Sequence, residues 1–429
     1  MAAVLLIALL VSVSAVSLVG TTAATTPSIE AASTPATGST SIDDATSIGP
    51  TGQEIVAAPK TNPTTANASP TKSKTETYLL VLNKNLTANP TQTSLGIDQA
   101  RNRVRRAQAP VVNRLESNGI QITRQFWITN AIVTTVNPDN VTPADLKAIE
   151  GVTRVEPNVE FQRPDPQVEG ENTQTEKTTT TTDGIGEITY GLKQINVDGF
   201  VDAYNTNGSD TRVAIIDDGL NESHPDINVT VGVNVSGGTV SDPTTTTLQQ
   251  DTGHGDHVAG TATGTIDPAG DVARYSVAPD AELLKADVFV GGATLADIIA
   301  AIEWAVEEEA DVVSMSLGVS VSDTDSTIIL SVEDAIQNAN NAGTVVIGSA
   351  GNAGAGSSGG PVGSPGTEFS SASVGATDSA GDVPPFSSGA VISPDTAVVL
   401  KDGSGASAPY PDGYPHAYVK PDITAPGVG

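Results

Sequence analysis

The stretch Val213-Ala214-Ile215-Ile216-Asp217-Asp218-Gly219 limits what this chain can fold into more than any other. Four apolar residues run without alternation into two carboxylates and a glycine. Such a run predicts a strand buried on both faces, as in a parallel α/β sheet. Working groups in these sheets sit at the carboxyl ends of the strands. Asp217 emerges there and needs a partner. The nearest candidate is His254 in Thr252-Gly253-His254-Gly255-Asp256-His257-Val258-Ala259-Gly260, a Gly-flanked histidine opening a predicted helix. An Asp beside an imidazole Nδ1–H fixes the tautomer and stabilises the imidazolium, the back half of a hydrolytic triad.

The chain has 4 histidines: His224, His254, His257 and His416. A general base must be reachable by a nucleophile and oriented by a carboxylate. His254, between two glycines, can be approached closely. His257 falls on the next turn, and His224 belongs to a His-Pro-Asp turn. Each alone would read as structural, and the pairing with Asp217 reverses that for His254. Asn352, in the Gly-rich turn Ser349-Ala350-Gly351-Asn352-Ala353-Gly354, is a candidate donor to a developing oxyanion.

These blocks carry a resemblance. Asp217-Asp218-Gly219, His224-Pro225-Asp226 and His254-Gly255-Asp256-His257-Val258-Ala259-Gly260 resemble the Asp and His blocks of the subtilisin-like serine peptidases. Met315-Ser316-Leu317-Gly318 resembles that family's substrate-binding strand, and Ser349–Gly354 its oxyanion block. The resemblance implies peptide-bond hydrolysis by acyl transfer. Asp217 would orient the base His254, and Asn352 would stabilise the oxyanion. Ser316, Leu317 and Gly318 would pair with an extended protein or peptide substrate. There are two departures. Asp218 and Asp256 stand where the family carries Thr or Ser. A Gly-Thr-Ser-Met-Ala type of block is absent, and Lys420-Pro421-Asp422 through Gly429 resembles the stretch just before it. The expectation is a chain that stops short of its nucleophile. A pseudo-peptidase or a binding protein is the competing class.

Two serines imitate the missing one. Ser358 sits in Gly356-Ser357-Ser358-Gly359-Gly360, which has the letters of a nucleophile elbow but no flanking strand or helix. Ser407 in Gly405-Ala406-Ser407-Ala408-Pro409 lies ahead of Lys420-Pro421-Asp422, the wrong order. Asp226, Asp267 and Asp271 could ligate calcium, but carboxylates this frequent cluster by chance, so no metal site is assigned.

The fold class expected is α/β, a subtilisin-like parallel sheet with helices on both faces, C-terminally incomplete, behind a small ferredoxin-like α+β domain. Residues 1–20 are almost wholly apolar and read as a signal peptide; an uncleaved anchor is the second reading. Residues 21–75 are a Thr/Ser/Pro-rich linker. Residues 76–166 show the order βαββαβ of a ferredoxin-like domain, with a helix over 97–115 broken near Pro110. A second helix is started by Thr142, Pro143 and Asp145. The resemblance makes this domain an inhibitory propeptide, an intramolecular partner of the peptidase. Residues 167–187 are a linker, and 188–429 the peptidase domain. Residues 293–310 form its clearest helix, and 391–419 look like an insertion.

The chain carries 50 acidic and 20 basic residues and no cysteine, so disulfides and thiolate metal sites are excluded. From residue 188 onward there are 32 acidic and 6 basic residues (6 − 32 = −26), whereas 76–166 holds 9 and 10. So acidic a domain repels itself at low salt and suits a high-salt setting, an ordinary acidic secreted protein being the second reading; the N-terminal segment makes the expected location extracellular. It repels a phosphate backbone, so nucleic acid is not a partner. A monomer without a firm cofactor is expected.

Overall fold

The computed structural model describes residues 75–83, 96–163, 187–248, 252–270, 272–354, 359–403 and 408–428. The expected signal peptide and nearly all of both linkers fall outside them, as do Ser358, Ser407 and Asp271. Among the described residues no helix is long and apolar enough to cross a membrane.

The chain begins with β1 (Glu76–Leu82), α1 (Ile97–Ser117), β2 (Gln121–Phe126), β3 (Ala131–Val136), α2 (Pro143–Lys147) and β4 (Val152–Pro157). They form a four-stranded sheet in the order β2-β3-β1-β4, with every neighbouring pair antiparallel. This is the expected βαββαβ plan. Side chains alternate along β1. Tyr78, Leu80 and Leu82 join Val111, Leu115 and Leu146 in one cluster, while Leu79 and Val81 join a larger one. α2 starts as its sequence predicts. Thr142 Oγ1 accepts from the Asp145 N–H at 3.2 Å, Asp145 Oδ2 accepts from the Thr142 N–H at 2.9 Å, and Pro143 follows the cap. The break expected near Pro110 does not occur, and α1 runs through it. Proline frees the carbonyl four residues back. That is Arg106, exposed like Pro110, so the freed oxygen is on a face water can reach.

The rest of the chain supplies α3 (Tyr190–Gln194), α4 (Val197–Tyr204), β5 (Arg212–Asp217), β6 (Val229–Ser236), β7 (Thr239–Val240), α5 (His254–Thr263), β8 (Glu282–Asp287) and α6 (Leu295–Glu307). There follow β9 (Val312–Met315), β10 (Ser326–Ile328), α7 (Leu330–Ala342), β11 (Val345–Ser349) and β12 (Ala372–Thr377). Last come β13 (Ala390–Ile392), β14 (Ala397–Val399), β15 (Tyr418–Lys420) and β16 (Ile423–Pro426). Eight strands form one sheet, β16-β12-β11-β9-β5-β8-β6-β7, parallel except at the β6–β7 edge. β5 lies inside it, flanked by β9 and β8. Both its faces are covered, which is why its sequence does not alternate. Val213 and Ile215 pack with Val258, Ala259 and Ala262 of α5, and Ala214 and Ile216 with α6 and α7. This is the mixed α/β fold expected, with helices on both faces.

α6 shows more burial than its pattern suggests. The spacing of Leu295, Ile298, Ile299, Ile302 and Val306 implies one apolar face, yet every residue from Leu295 to Val306 is buried. The small sheet covers the other face. Glu303 Oε2 there accepts from the Trp127 and Ile128 N–H groups at 2.7 and 3.1 Å. Residues 391–419 contain β14, parallel to β10, and most of the β13–β15 antiparallel pair. Just after β14 the Gly403 N–H donates to Val155 of the small sheet at 3.0 Å.

Candidate active site

Asp217 is the last residue of β5 and fully buried. It shares a strand face with Val213 and Ile215, so it points toward α5. His254 is the first residue of α5, after Gly253 in the left-handed region at φ 84°. A Cβ on Gly255 would lie 2.3 Å from the Gly219 carbonyl oxygen and 2.6 Å from that of Asp218. Only glycine lets the helix start this close to the end of β5. The imidazole Nδ1 lies 2.7 Å from Asp217 Oδ1. A carboxylate only accepts, so Nδ1 carries the proton and Nε2 is left to act as a base. Nε2 is buried and has no hydrogen-bond partner among the described residues.

Burial alone would push the His254 pKa down. The charge and hydrogen bond of Asp217, helped by Asp218, outweigh it and hold the value above the usual histidine range, with the Arg163 guanidinium working against them. This electrostatic setting favours the protonated imidazole, so the ring can take up a proton as a cation. Lys285 of β8, beside β5, is also fully buried, and its ammonium donates to the Ala286 carbonyl at 3.1 Å. Burial pushes its pKa down, against the pull of Asp217 and Asp287.

Asp218 is held by other donors. Its Oδ1 accepts from the Gly255 N–H at 2.6 Å, and its Oδ2 from the Thr252 hydroxyl at 2.5 Å and the Arg163 guanidinium at 2.9 Å. Asp256 Oδ1 accepts from the Asn221 N–H at 2.7 Å and secures the loop after β5. Neither pair, Arg163–Asp218 nor Asn221–Asp256, was foreseen from the sequence. They join residues 55 and 35 positions apart.

Ser316, Leu317 and Gly318 follow β9, the neighbour of β5. The Ser316 and Leu317 side chains are buried, and Gly318 presents its backbone. Gln162 exchanges two hydrogen bonds with it: the Gln162 N–H reaches the Gly318 carbonyl at 2.8 Å, and the Gly318 N–H reaches the Gln162 carbonyl at 2.8 Å. Asn352 follows β11, one strand further out, and so lies at the same carboxyl edge of the sheet. Its Nδ2 is buried and has no partner among the described residues. His257 lies further along α5, His224 Nδ1 accepts from the Asp226 N–H at 3.2 Å, and His416 is exposed.

Asp226 of the calcium candidates is taken up by the fold. The Tyr275 hydroxyl donates to its Oδ2 and the Ala269 N–H to its Oδ1, both at 2.8 Å. Among the described residues only Asp217, Asp218 and His254 could share one metal ion. Asp217 Oδ1, His254 Nδ1 and both Asp218 oxygens are committed to one another and to the Asp218 N–H, Gly255, Thr252 and Arg163, while Asp217 Oδ2 and His254 Nε2 have no hydrogen-bond partner among the described residues.

The sequence profile of the subtilase family matches residues 208–428. Subtilisin E of Bacillus subtilis (strain 168) is 37% identical over 204 residues, 47% of this chain and 49% of that protein. The subtilisin of Bacillus pumilus is also 37% identical over 204 residues, 68% of its length. The minor extracellular protease Vpr of B. subtilis (strain 168) is 38% identical over 181 residues, 21% of its length. The chain thus spans about half the length of subtilisin E. Matched over residues that hold the Asp217–His254 pair, Gly318 and Asn352, it belongs to the subtilase family of subtilisin-like serine peptidases.

Proposed function

We propose that this chain is the N-terminal part of a secreted serine endopeptidase zymogen, folded with its own inhibitor. The observation that carries the reading is the Asp217–His254 pair: a 2.7 Å contact on Nδ1, a fully buried carboxylate, and a buried Nε2 with no partner among the described residues. Nε2 is the atom that takes the proton of an attacking serine hydroxyl and returns it to the leaving amine. Asp217 keeps the ring in the right tautomer and stabilises its cation. The unpartnered Asn352 Nδ2 is suited to the oxyanion of the tetrahedral intermediate; in subtilisin itself, losing one such donor costs about 10²–10³ in turnover. Gly318 offers an N–H and a carbonyl to an extended peptide.

The nucleophile lies outside residues 1–429 in this reading, since no Gly-Thr-Ser-Met-Ala type of block occurs among them. Residues 76–166 act as the inhibitor, and the contacts of residues 159–163 with the cleft support that. The apolar residues 1–20 are its export signal.

Reading the gene beyond codon 429, then labelling the two products with a fluorophosphonate, tests the proposal. The 429-residue chain should stay unlabelled and leave casein intact. The longer product should label on a serine in the added segment, and His254→Ala should abolish turnover. A gene that ends here without such a serine would make the protein a pseudo-peptidase. Labelling at Ser358 or Ser407 would mean the nucleophile is already present.

A further inference from the structure

We propose that Asp218 floors a subsite selecting a basic side chain, arginine or lysine, on the substrate residue following the one that pairs with Gly318. The proposal rests on the peptidase reading above and names the substrate class of that site.

Residues 159–163 run between two segments of the cleft as an added antiparallel strand. The Leu295 N–H donates to the Val159 carbonyl and the Phe161 N–H to the Ala293 carbonyl, both at 2.8 Å. Gln162 pairs with Gly318 on the other side through two bonds of 2.8 Å. This is the pairing an extended peptide makes when it adds a strand to a binding edge. The tail therefore marks where successive substrate side chains fall.

Neighbouring side chains of an extended chain point to opposite sides. Gln162 is exposed, and Arg163, next along, turns inward. Its Nη1 lies 2.9 Å from Asp218 Oδ2, and its guanidinium carbon lies 5.5 Å from the centre of the Phe289 ring. A cation between a carboxylate and an aromatic face is doubly recognised. Asp218 itself is fully buried. The Gly255 N–H and the Thr252 hydroxyl supply dipoles, but among the described residues Arg163 is the cation in ion-pair contact with it. A buried carboxylate that loses its cation is costly. When the tail leaves, a lysine or arginine of the incoming peptide restores the pair. A neutral side chain leaves the charge unpaired, and an acidic one repels it. Arg163 also acts on the His254 imidazolium, so the subsite adjoins the catalytic base.

Two experiments separate this inference from the reading beneath it. The first uses the 429-residue chain and needs no catalysis. Amide hydrogen exchange at Gln162 reports whether the tail is seated on Gly318. Arg163→Lys should exchange at nearly the parent rate, and Arg163→Gln and Arg163→Glu at least about tenfold faster. In an Asp218→Asn background, arginine and glutamine at 163 should behave alike. Parent-like exchange in Arg163→Gln and Arg163→Glu overturns the subsite, and that result does not depend on Asp218→Asn folding. The second uses the longer gene product and fluorogenic peptides differing only at the position in question. Arginine and lysine peptides should exceed the glutamine peptide in kcat/KM by at least about 30-fold, the lower end for truncating a buried charge pair. Equal turnover of all peptides overturns the subsite. No turnover of any peptide, with charge-dependent exchange in the first experiment, overturns the peptidase reading and leaves the basic subsite standing.

Discussion

Glu368 offers a prediction with a definite sign. It is fully buried. Its Oε1 accepts from the Ile329 N–H at 3.0 Å and the Ser364 hydroxyl at 2.7 Å, and its Oε2 is buried with no hydrogen-bond partner among the described residues. Burial, aided by the nearby Glu333 charge and opposed by the two donors, pushes its pKa from 4.5 to about 8. The folded state therefore favours the protonated form. Glu368's favourable contribution is complete below pH 4.5 and is lost as pH rises through about 8. The gap of 8 − 4.5 = 3.5 units corresponds to a contribution on the order of 5 kcal/mol at about 1.4 kcal/mol per unit. Glu368→Gln keeps the Oε1 acceptor and removes the charge. The variant should match the parent near pH 4.5 and exceed it by several kcal/mol at pH 9, about 10 °C or more in thermal midpoint. Circular dichroism melts of both proteins from pH 4.5 to 9, at one salt concentration, measure this. Other titrating groups cancel in the difference. Parallel curves for the two proteins would refute the argument. The consequence reaches the cleft, because the Ser364 backbone pairs with Val319, the neighbour of Gly318.

Three further outcomes follow from the geometry. Asp217→Asn should lower the His254 pKa in an NMR titration, since Asp218 alone then opposes burial; the stabilisation lost is full below pH 6.5 and fades as pH rises through the parent's raised value, so a deficit growing with pH would contradict it. Gly403→Leu should cost about 1–3 kcal/mol and speed exchange of its own amide, because a Cβ there would lie 2.7 Å from Tyr78 Cε1 and 2.9 Å from Pro143 Cβ; parent-like stability and exchange would show that residues after β14 do not hold the small sheet. The chain should lose circular-dichroism ellipticity as salt falls from molar to millimolar, given the net −26 from residue 188 onward (6 basic and 32 acidic residues), and an unchanged spectrum would remove the high-salt reading.

Much of this fold is written in local patterns. Val213–Ile216 could be read as a doubly covered strand because both its faces meet side chains from helices packed on either side of the sheet. The start of α2 was readable because Thr142, Pro143 and Asp145 satisfy one another within four residues. The His254 pairing was readable because two glycines flank it and one carboxylate ends a strand nearby. Other features depend on distant surfaces. The second buried face of α6 depends on a sheet some 170 residues earlier, as the Trp127–Glu303 bond shows with a separation of 176. Asp218 was visible as a departure from the family pattern, but nothing local selects Arg163 as its partner from the 20 basic residues of the chain. Lys285 reads as one cation among many until the sheet buries it beside Asp217. Pro110 misled because proline's cost depends on whether the freed carbonyl can reach water.

The charge contrast between 76–166 and the acidic remainder becomes specific chemistry where they meet. Arg101 pairs with Glu307 at 2.5 Å, Arg124 with Glu303 at 3.4 Å and Arg154 with Asp334 at 2.7 Å. The carboxylates of Glu303 and Asp334 are almost wholly buried there, at 3% and 8% side-chain exposure. These pairs answer to salt differently from the surface field that brings the parts together. Molar salt shortens the Debye length to about 3 Å and removes long-range steering. It screens a pair with a buried carboxylate much less, and it does not remove the cost of leaving Glu303 or Asp334 buried without a cation. Added salt should therefore slow any encounter between separated parts far more than it speeds their parting. If residues 76–166 are the inhibitor proposed above, it should stay on its cleft in brine, and its release should depend on cutting the chain rather than on dilution or ionic strength.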